Sequence, residues 1–230
     1  MVNLLALDTS SPTAALALAT TAGAVHGASP DPSQRHGRNL IPAVRELLET
    51  AGLAPRDLGA IAVGLGPGSY TGLRIGVTAA KVLAYALGIP VVGLDSLEVL
   101  AGNAPAHVRH VAVIADAQRG DLYTAEFTRR TAGAPLTRLT PTRIERQDGW
   151  LGRIAAGTFV LGPGLDRLRP PLPDSFPHGD PAGSRPDPAR LLDLAREAWA
   201  SGRRDDPWEL EPHYLRRSAA EEQWDQRSKP

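Results

Sequence analysis

Short apolar runs alternate with polar turns at the start of the chain. Val2 to Leu7 is apolar and ends at Asp8, and Ala14 to Ala19 is a second apolar run after the turn-forming stretch Thr9 to Thr13. Because runs of this length bounded by turn residues are typical of buried strands, the pattern predicts a β-hairpin with a carboxylate at its tip. A third strand is expected near Gly23 to Gly27.

Helical periodicity comes after these strands. From Gln34 to Ala51, apolar residues recur at spacings of three and four, and Pro42 should either kink this helix or mark its true beginning. Ala60 to Leu65 has the pattern of a buried strand, and a turn and a long helix to about Leu87 come next. Strand Val91 to Leu94 then follows. Strands that alternate with long helices indicate an α/β fold.

The second half of the sequence repeats this plan. VAVIADAQRGDLYTAEF, Val111 to Phe127, is again strand, Asp, turn and strand, with Asp116 placed like Asp8. Thr158 to Leu165, TFVLGPGL, resembles AIAVGLGPGS of the first half. The two copies lie about a hundred residues apart, which suits a duplicated domain rather than a solenoid.

The predicted organisation is therefore two α/β subdomains, residues 1–105 and 106–218. The second subdomain contains a Pro- and Gly-rich loop at 163–188, and a helix should run from Asp187-Pro188 to about Trp199, with Asp as N-cap. The polar segment 219–230 is expected to fray.

Composition narrows the classes of function. The 25 basic and 25 acidic residues balance, so unaided binding to nucleic acid or membrane is not expected. The chain has no cysteine, which excludes disulfides, thiolate nucleophiles and cysteine-bound zinc. Since the sequence shows neither a basic leader nor an apolar segment of membrane-spanning length, a cytoplasmic protein is expected.

The stretch GLGPGSYTGLRIGVTAAKVLA, Gly64 to Ala84, looks at first like a phosphate loop that leads into a helix. A Walker loop needs Lys and Ser or Thr directly after its last Gly, but the first Lys here is Lys81. The glycine spacing also differs from the dinucleotide fingerprint. Two alternatives remain, a turn capped by Ser69 or Thr71, or contact between an anion and the N–H groups at the helix start.

The predicted helix in this stretch is apolar on two sides. One side carries Tyr70, Leu73, Val77, Ala80, Ala84 and Leu87, and the opposite side carries Ile75, Ala79, Val82 and Ala86. Together the two sides form an apolar arc about twice as wide as the one that a surface helix buries against its own core. Either a neighbouring helix of the chain, for which Gln34 to Ala51 is a candidate, or a partner subunit should cover the second side.

Five segments together resemble the TsaB (YeaZ) family, the non-catalytic partner in bacterial threonylcarbamoyladenosine (t6A) tRNA modification. They are LLALDTSSPTAALAL, RHGRNLIPAVRELLE, AVGLGPGSYTGLRIGVTAAKVLAYALGIPVVGLDSLEVLA, ADAQRGDLYTAEF and PHYLRRS. The resemblance implies the duplicated actin-like, Hsp70 and sugar-kinase fold. It also implies an accessory subunit that binds a TsaD-type catalytic subunit, with a TsaE-type ATPase as third member, a homodimer when isolated, and tRNA contact only through the complex.

The catalytic relatives of the TsaD family carry two metal-binding histidines after the motif. Ser96 and Leu100 stand at those positions here, so the resemblance implies no catalytic residue, no metal and no cofactor for this chain. Asp95 and Glu98 remain nearby and are expected to be surface or capping groups.

The expected partner contacts lie on the two long helices. They are Ile41, Val44, Arg45, Leu48, Tyr70, Leu73, Arg74, Val77, Lys81 and Ala84. Candidate nucleotide or anion contacts are Asp8, Thr9, Ser10, Gly66, Gly68, Ser69 and Asp116.

Two other classes stay open from sequence. Asp8 and Asp116 occupy positions where kinases of this superfamily coordinate magnesium, which would suit an ATP-dependent small-molecule kinase. The structural alternative is that both carboxylates accept backbone N–H bonds within their own turns. A metallopeptidase-like hydrolase is the other class, and Ser96 and Leu100 argue against it.

Overall fold

The first sheet of the protein has five strands. It is seen in a computed structural model that describes residues 2–30, 36–180, 184–216 and 224. The strand order is β3-β2-β1-β4-β5, with β4 parallel to both β1 and β5 and with β1, β2 and β3 antiparallel. The strands are β1 (Leu4–Asp8), β2 (Ala15–Ala19), β3 (Val25–Ala28), β4 (Ala60–Gly64) and β5 (Val91–Leu94).

Three α-helices belong to the first half of the chain. They are α1 (His36–Thr50), α2 (Tyr70–Leu87) and α3 (Ser96–Ala101), with a single 3-10 turn at Pro55–Asp57. Pro42 lies inside α1, so the alternative that it marks the beginning of the helix is wrong. The sequence pattern did not predict α3.

The two faces of the first sheet differ in side-chain size. Leu5, Leu7, Leu16 and Leu18 point towards α1 and α2, where they form one core cluster. The alternate positions are mostly small and pack against a later helix, α5 (Pro188–Ala200). Small side chains let α5 approach this second face closely. Helices therefore cover the sheet on both sides.

The second sheet repeats the central arrangement of the first. Its strands are β6 (His110–Asp116), β7 (Asp121–Thr128), β8 (Thr137–Arg138), β9 (Arg143–Arg146) and β10 (Phe159–Leu161). Strand β6 pairs antiparallel with β7 and parallel with β10, just as β1 pairs with β2 and β4. The short strands β8 and β9 both pair with β7, and α4 (Gln147–Arg153) covers one face.

The two halves exchange helices. Helix α3, from the first half of the sequence, packs through Leu97 and Leu100 against β6 and β7 of the second sheet. Helix α5, from the second half, packs through Leu191 and Leu192 against the first sheet. The boundary at residues 105 and 106 stays a prediction, but the two cores are shared across it.

The segment 163–188 has little regular structure where it is described. It contains a 3-10 turn at Leu165–Arg167, and residues 181–183 lie outside the described part. Asp187 caps α5, since its Oδ1 accepts hydrogen bonds from the backbone N–H groups of Ala189 (2.9 Å) and Arg190 (3.1 Å). Apart from Trp224, the segment 219–230 lies outside the described residues. Among the described residues, no helix combines the length and hydropathy needed to cross a bilayer.

Candidate functional site

The turn between β1 and β2 is sealed inside the protein. Asp8 and Thr9 are fully buried, and Ser10 and Ser11 are nearly so. Asp8 Oδ1 accepts a hydrogen bond of 2.7 Å from the backbone N–H of Ser10, whereas Oδ2 has no hydrogen-bond partner. The carboxylate at the tip of the hairpin therefore stabilises its own turn.

Burial also shifts the pKa of this carboxyl group. Removal from water raises the pKa of Asp8, and the nearby polar groups of Ser10 and Ser96 only partly offset that rise. Magnesium prefers ionised carboxylate oxygens with room for several waters. A carboxyl group that is sealed from solvent leaves no room for those waters and is a poor ligand of this kind.

The glycines of the GPGSYTGLRIG motif let this turn lie directly against α2. A Cβ atom on Gly68 would lie 2.3 Å from the carbonyl oxygen of Ser10, and one on Gly72 would lie 2.1 Å from that of Thr9. A Cβ on Gly76 would lie 2.2 Å from Thr9 Oγ1. Thr9 Oγ1 in turn donates a 2.7 Å hydrogen bond to the carbonyl of Gly72. These glycines thus serve close packing between two parts of the chain.

Hydrogen bonds within the chain also occupy the loop before α2. Ser69 caps α2, because its hydroxyl accepts a hydrogen bond of 3.2 Å from Gly72 N–H, which confirms the capping alternative. The N–H of Ser69 donates to the carbonyl of Ser10 at 2.7 Å. Ser96 Oγ accepts from Gly66 N–H at 3.0 Å, and Ser96 N–H donates to the Gly66 carbonyl at 2.9 Å.

Oxygen atoms of the chain accept from several N–H groups of this loop. The N–H groups of Gly66, Ser69 and Gly72 each donate to such an oxygen and are not free for an anion. Nucleotide or anion contact by Asp8, Thr9, Ser10, Gly66, Gly68 and Ser69 stays a prediction.

The corresponding turn of the second half is partly open. Asp116 Oδ1 accepts a 2.7 Å hydrogen bond from Gln118 N–H, and Arg167 Nε lies 3.5 Å from Asp116 Oδ2. Arg216 donates to the carbonyl of Gln118 at 3.2 Å and pairs with Asp121. Both Asp8 and Asp116 therefore accept backbone N–H bonds within their turns, as the structural alternative predicted.

The start of α3 contains the two positions, Ser96 and Leu100, at which the resemblance implies histidines in the catalytic family. Ser96 and Leu100 are buried, and Ser96 holds the Gly66 loop. Asp95 caps α3 by accepting from the N–H groups of Leu97 (2.8 Å) and Glu98 (3.1 Å), which confirms its capping role. Within the described ranges, no cluster of three or more His, Cys, Asp or Glu could hold a metal ion.

Half of the predicted partner contacts lie in the protein's own core. The buried residues are Val44, Leu48, Leu73, Val77 and Ala84. Val44, Leu48, Val77 and Ala84 pack with β1, β2 and β4 in the larger core cluster, and Leu73 is buried next to Gly66, so none of the five lies on the surface of this fold. Partner contact at these five positions stays a prediction, and they are buried because a helix packed on a sheet buries its most apolar side there. Helix α1 packs near the second side of α2, where Ile75 Cδ1 lies 3.8 Å from the position of a Cβ on Gly37.

The other predicted contacts are at least partly exposed. Ile41 is 53% exposed, and Arg45 and Arg74 are also exposed. Arg74 lies over the ring of Tyr70, 4.2 Å from its centroid. Lys81 Nζ donates to the carbonyl of Leu210 at 3.2 Å.

Three exposed apolar side chains lie outside the set of predicted contacts. Val82 is 59% exposed, Tyr85 is 70% exposed and Trp208 is 71% exposed. The rings of Tyr85 and Trp208 meet edge to face with centroids 5.4 Å apart. Val82 and Tyr85 stand at a helical spacing of three in the sequence, but Tyr85 belongs to neither of the two apolar sides predicted for the helix, and no sequence signal brought Trp208 to them.

Comparisons with known proteins agree on one group of relatives. Residues 18–136 match the family model described as "TsaD: tRNA N6-adenosine threonylcarbamoyltransferase". The tRNA threonylcarbamoyladenosine biosynthesis protein TsaB of Bacillus subtilis is 33% identical over 97% of this chain and 98% of its own length. The tRNA N6-adenosine threonylcarbamoyltransferase of Moorella thermoacetica is 51% identical over 65 residues, which are 28% of this chain and 19% of that protein.

A solved structure has the same fold. YeaZ from Pseudomonas aeruginosa superposes with a TM-score of 0.80 at 28% identity, covering 94% of this chain and all of that one. Together with the repeated pairing of β1, β2 and β4 by β6, β7 and β10, this match confirms the predicted α/β fold of two related halves.

Proposed function

The chain belongs to the TsaB family, and from that premise we propose that it is an accessory, non-catalytic subunit in t6A biosynthesis. It binds and activates a TsaD-type threonylcarbamoyltransferase, which transfers the threonylcarbamoyl group to the N6 amine of the adenosine next to the anticodon in tRNAs that read A-starting codons. This chain contributes contact area and conformational bias rather than bond chemistry.

A contiguous exposed apolar surface carries this proposal. We define the α2 patch as Val82, Tyr85 and Trp208, with Ile41 of α1 as a further exposed apolar residue. Single exposed apolar residues are ordinary, but Val82 and Tyr85 lie one turn apart on α2, and Trp208 contacts Tyr85. Aromatic side chains exposed in this way are typical anchors of protein interfaces.

The sealed turn supports the non-catalytic part of the proposal. Asp8 lies out of reach of solvent, and Ser96 holds a loop instead of a metal. Among the residues that the structure describes, no group of His, Cys, Asp and Glu side chains could hold the metal ion that the kinase and metallopeptidase alternatives require.

The remaining parts of the assembly follow from the family. We propose that a TsaE-type ATPase is the third member, that tRNA is reached only through the complex, and that the isolated chain forms a homodimer through the same surface. A cytoplasmic location belongs to this proposal.

The α2 patch can be tested by one charge substitution with a matched control. Val82→Glu should lower the affinity for the TsaD-type subunit of the same organism at least about tenfold, because a charge would be buried at the contact. Val25→Glu is the control, since Val25 is exposed to a similar degree but lies on the edge strand β3. Affinity is measured by calorimetry, and circular dichroism checks that both variants fold.

Equal binding by the Val82→Glu variant, the Val25→Glu variant and the unchanged chain would refute the α2 patch. Glu at Leu73 or Val77 is no substitute test, because both side chains are buried and the substitution would unfold the chain.

A further inference from the structure

A cavity of about 300 Å³ lies where the two halves exchange helices. It opens between α3, α5 and the end of β7, away from both turns described above. Its charged lining residues are Arg129, Arg190, Glu98, Asp193 and Glu197. Its volume is at the lower end of the range for small-molecule sites.

Arg129 is a buried cation that has no counter-ion among the residues that the structure describes. Its side chain is only 7% exposed, and its Nε has no hydrogen-bond partner. Its Nη atoms make long hydrogen bonds to the carbonyls of Ala104 (3.3 Å) and Ala106 (3.5 Å), and no carboxylate of the described residues lies within ion-pair distance. Burial, with a further contribution from nearby Arg190, lowers the pKa of Arg129. A buried charge of this kind is stabilised when an anion arrives beside it.

The acidic side of the same cavity has carboxylates that are not fully neutralised by nearby cations. Glu98 lies 3.6 Å from the Arg138 guanidinium but shares it with Asp95, which lies closer at 2.9 Å. Burial raises the pKa of Glu98, Arg138 lowers it, and the negative charges of Asp95 and Glu197 raise it further. Arg190 is already paired with Asp193 at 3.2 Å, so it does not neutralise these carboxylates fully. A cation that enters the cavity would relieve the repulsion between Glu98 and Glu197.

A single type of ligand satisfies both sides at once. We propose that this cavity binds a small zwitterion, an amino-acid-like molecule whose carboxylate contacts Arg129 and whose ammonium group faces Glu98 and Glu197. A phosphate would meet three carboxylates, and a simple amine would leave Arg129 without a counter-ion. This proposal does not depend on the proposed function, because it concerns the isolated chain and a different face of the molecule.

The ligand class is tested by calorimetry on the full chain with three probes, L-alanine, β-alanine and 4-aminobutyrate. They differ in the distance between carboxylate and ammonium. Propionate and propylamine are the controls with one charge each. At least one zwitterion should bind about tenfold more tightly than both controls, with a Kd in the millimolar range or below. No binding by any probe at about 10 mM, or equal binding by propionate, overturns the proposal.

Two substitutions then locate the site. Arg129→Gln should weaken binding of the zwitterion at least about tenfold, whereas Arg130→Gln, at the exposed neighbouring position, should leave it unchanged. Glu197→Gln should weaken binding severalfold without loss of fold, because Glu197 is exposed on α5, and Glu46→Gln on the distant α1 is its control.

Unchanged binding by the Arg129→Gln variant overturns the site. If that variant does not fold, the Glu197→Gln variant decides, and unchanged binding by it overturns the site in the same way. Loss of partner binding by the Val82→Glu variant would have no bearing on either result.

Discussion

The two halves of the molecule begin with the same strand, Asp, turn and strand, yet they treat the turn in opposite ways. In the first half, Asp8 is fully buried and Thr9 bonds to the backbone of α2. In the second half, Asp116 is partly exposed, and its turn is held by Arg167 and Arg216.

The difference comes from the element that follows β4 in the first half and β10 in the second half. Strand β4 leads into α2, whose glycines let the helix backbone lie against the first turn. Strand β10 leads only into a 3-10 turn, and Gly162 and Gly164 pack against the backbone of Ile114 instead. A local motif therefore sets the geometry of a turn, while the element that covers it decides whether the turn can meet a ligand.

The largest expected effect breaks the seal of the first turn. Gly72→Ala should destabilise the protein by about 1–3 kcal/mol, because the new Cβ would lie 2.1 Å from the carbonyl of Thr9 and one backbone must move. Denaturant unfolding measures the loss. The control is Gly149→Ala in α4, where nothing lies within 4 Å, and it should stabilise by about 0.5–1 kcal/mol.

If Gly72→Ala were as harmless as Gly149→Ala, the first turn would not be held by close contact with α2. The contrast between the two halves would then need another cause.

A smaller effect is expected at the open turn. Arg216→Ala removes the partner of Asp121 and a donor to the carbonyl of Gln118, and should cost about 1 kcal/mol, since the pair is largely shielded from water. Hydrogen exchange should rise in the turn after β6. Arg45→Ala is the control, because its pair with Glu49 is exposed and should contribute about 0–0.5 kcal/mol. Equal losses in the two variants would contradict side-chain support of the second turn.

The last comparison concerns the pH dependence of stability. The difference in stability between the Asp8→Asn variant and the unchanged protein should be smallest at acidic pH. Since the pKa of Asp8 is raised in the folded state, the native protein binds more protons than the unfolded chain between the two pKa values. Stability is therefore lost as pH rises from about 3.9, the usual Asp value, through the folded pKa. Asp8→Asn does not titrate, so its melting temperature relative to the unchanged protein should increase with pH.

Asp116→Asn is the matched variant in the other half. Its carboxylate is partly exposed and faces Arg167, so the substitution should change the melting temperature little. A gain for Asp8→Asn that stays constant from acidic to neutral pH would show that burial of the charge is not the cause.

Much of the fold was predictable because strong local patterns coincide with the structure. The apolar runs that gave β1, β2, β4 and β5 are buried on both faces, and the motif at Ser69 and Gly88 marks both ends of α2. The helix α3 was missed because six residues are too few to show helical periodicity. The two-residue strand β8 carries too little pattern to be predicted at all.

The burial of the two sides of α2 was predicted less well. The sequence placed the apolar sides of α2 correctly, but it could not tell which side faces the sheet, so Leu73 and Val77 were assigned to a partner although they are core. Trp208 reaches Tyr85 from more than a hundred residues away, and no local pattern carries such a contact.

By itself the sequence determined the strands, the long helices, the duplication and the absence of a phosphate-loop lysine, since these depend on local spacing and residue type. Only the tertiary structure decided which side of α2 is buried, which helix covers which sheet, and that the glycines after β4 seal the turn at Asp8. The reason is physical: burial and close packing arise between segments far apart in the chain, and spacing along the chain does not record them.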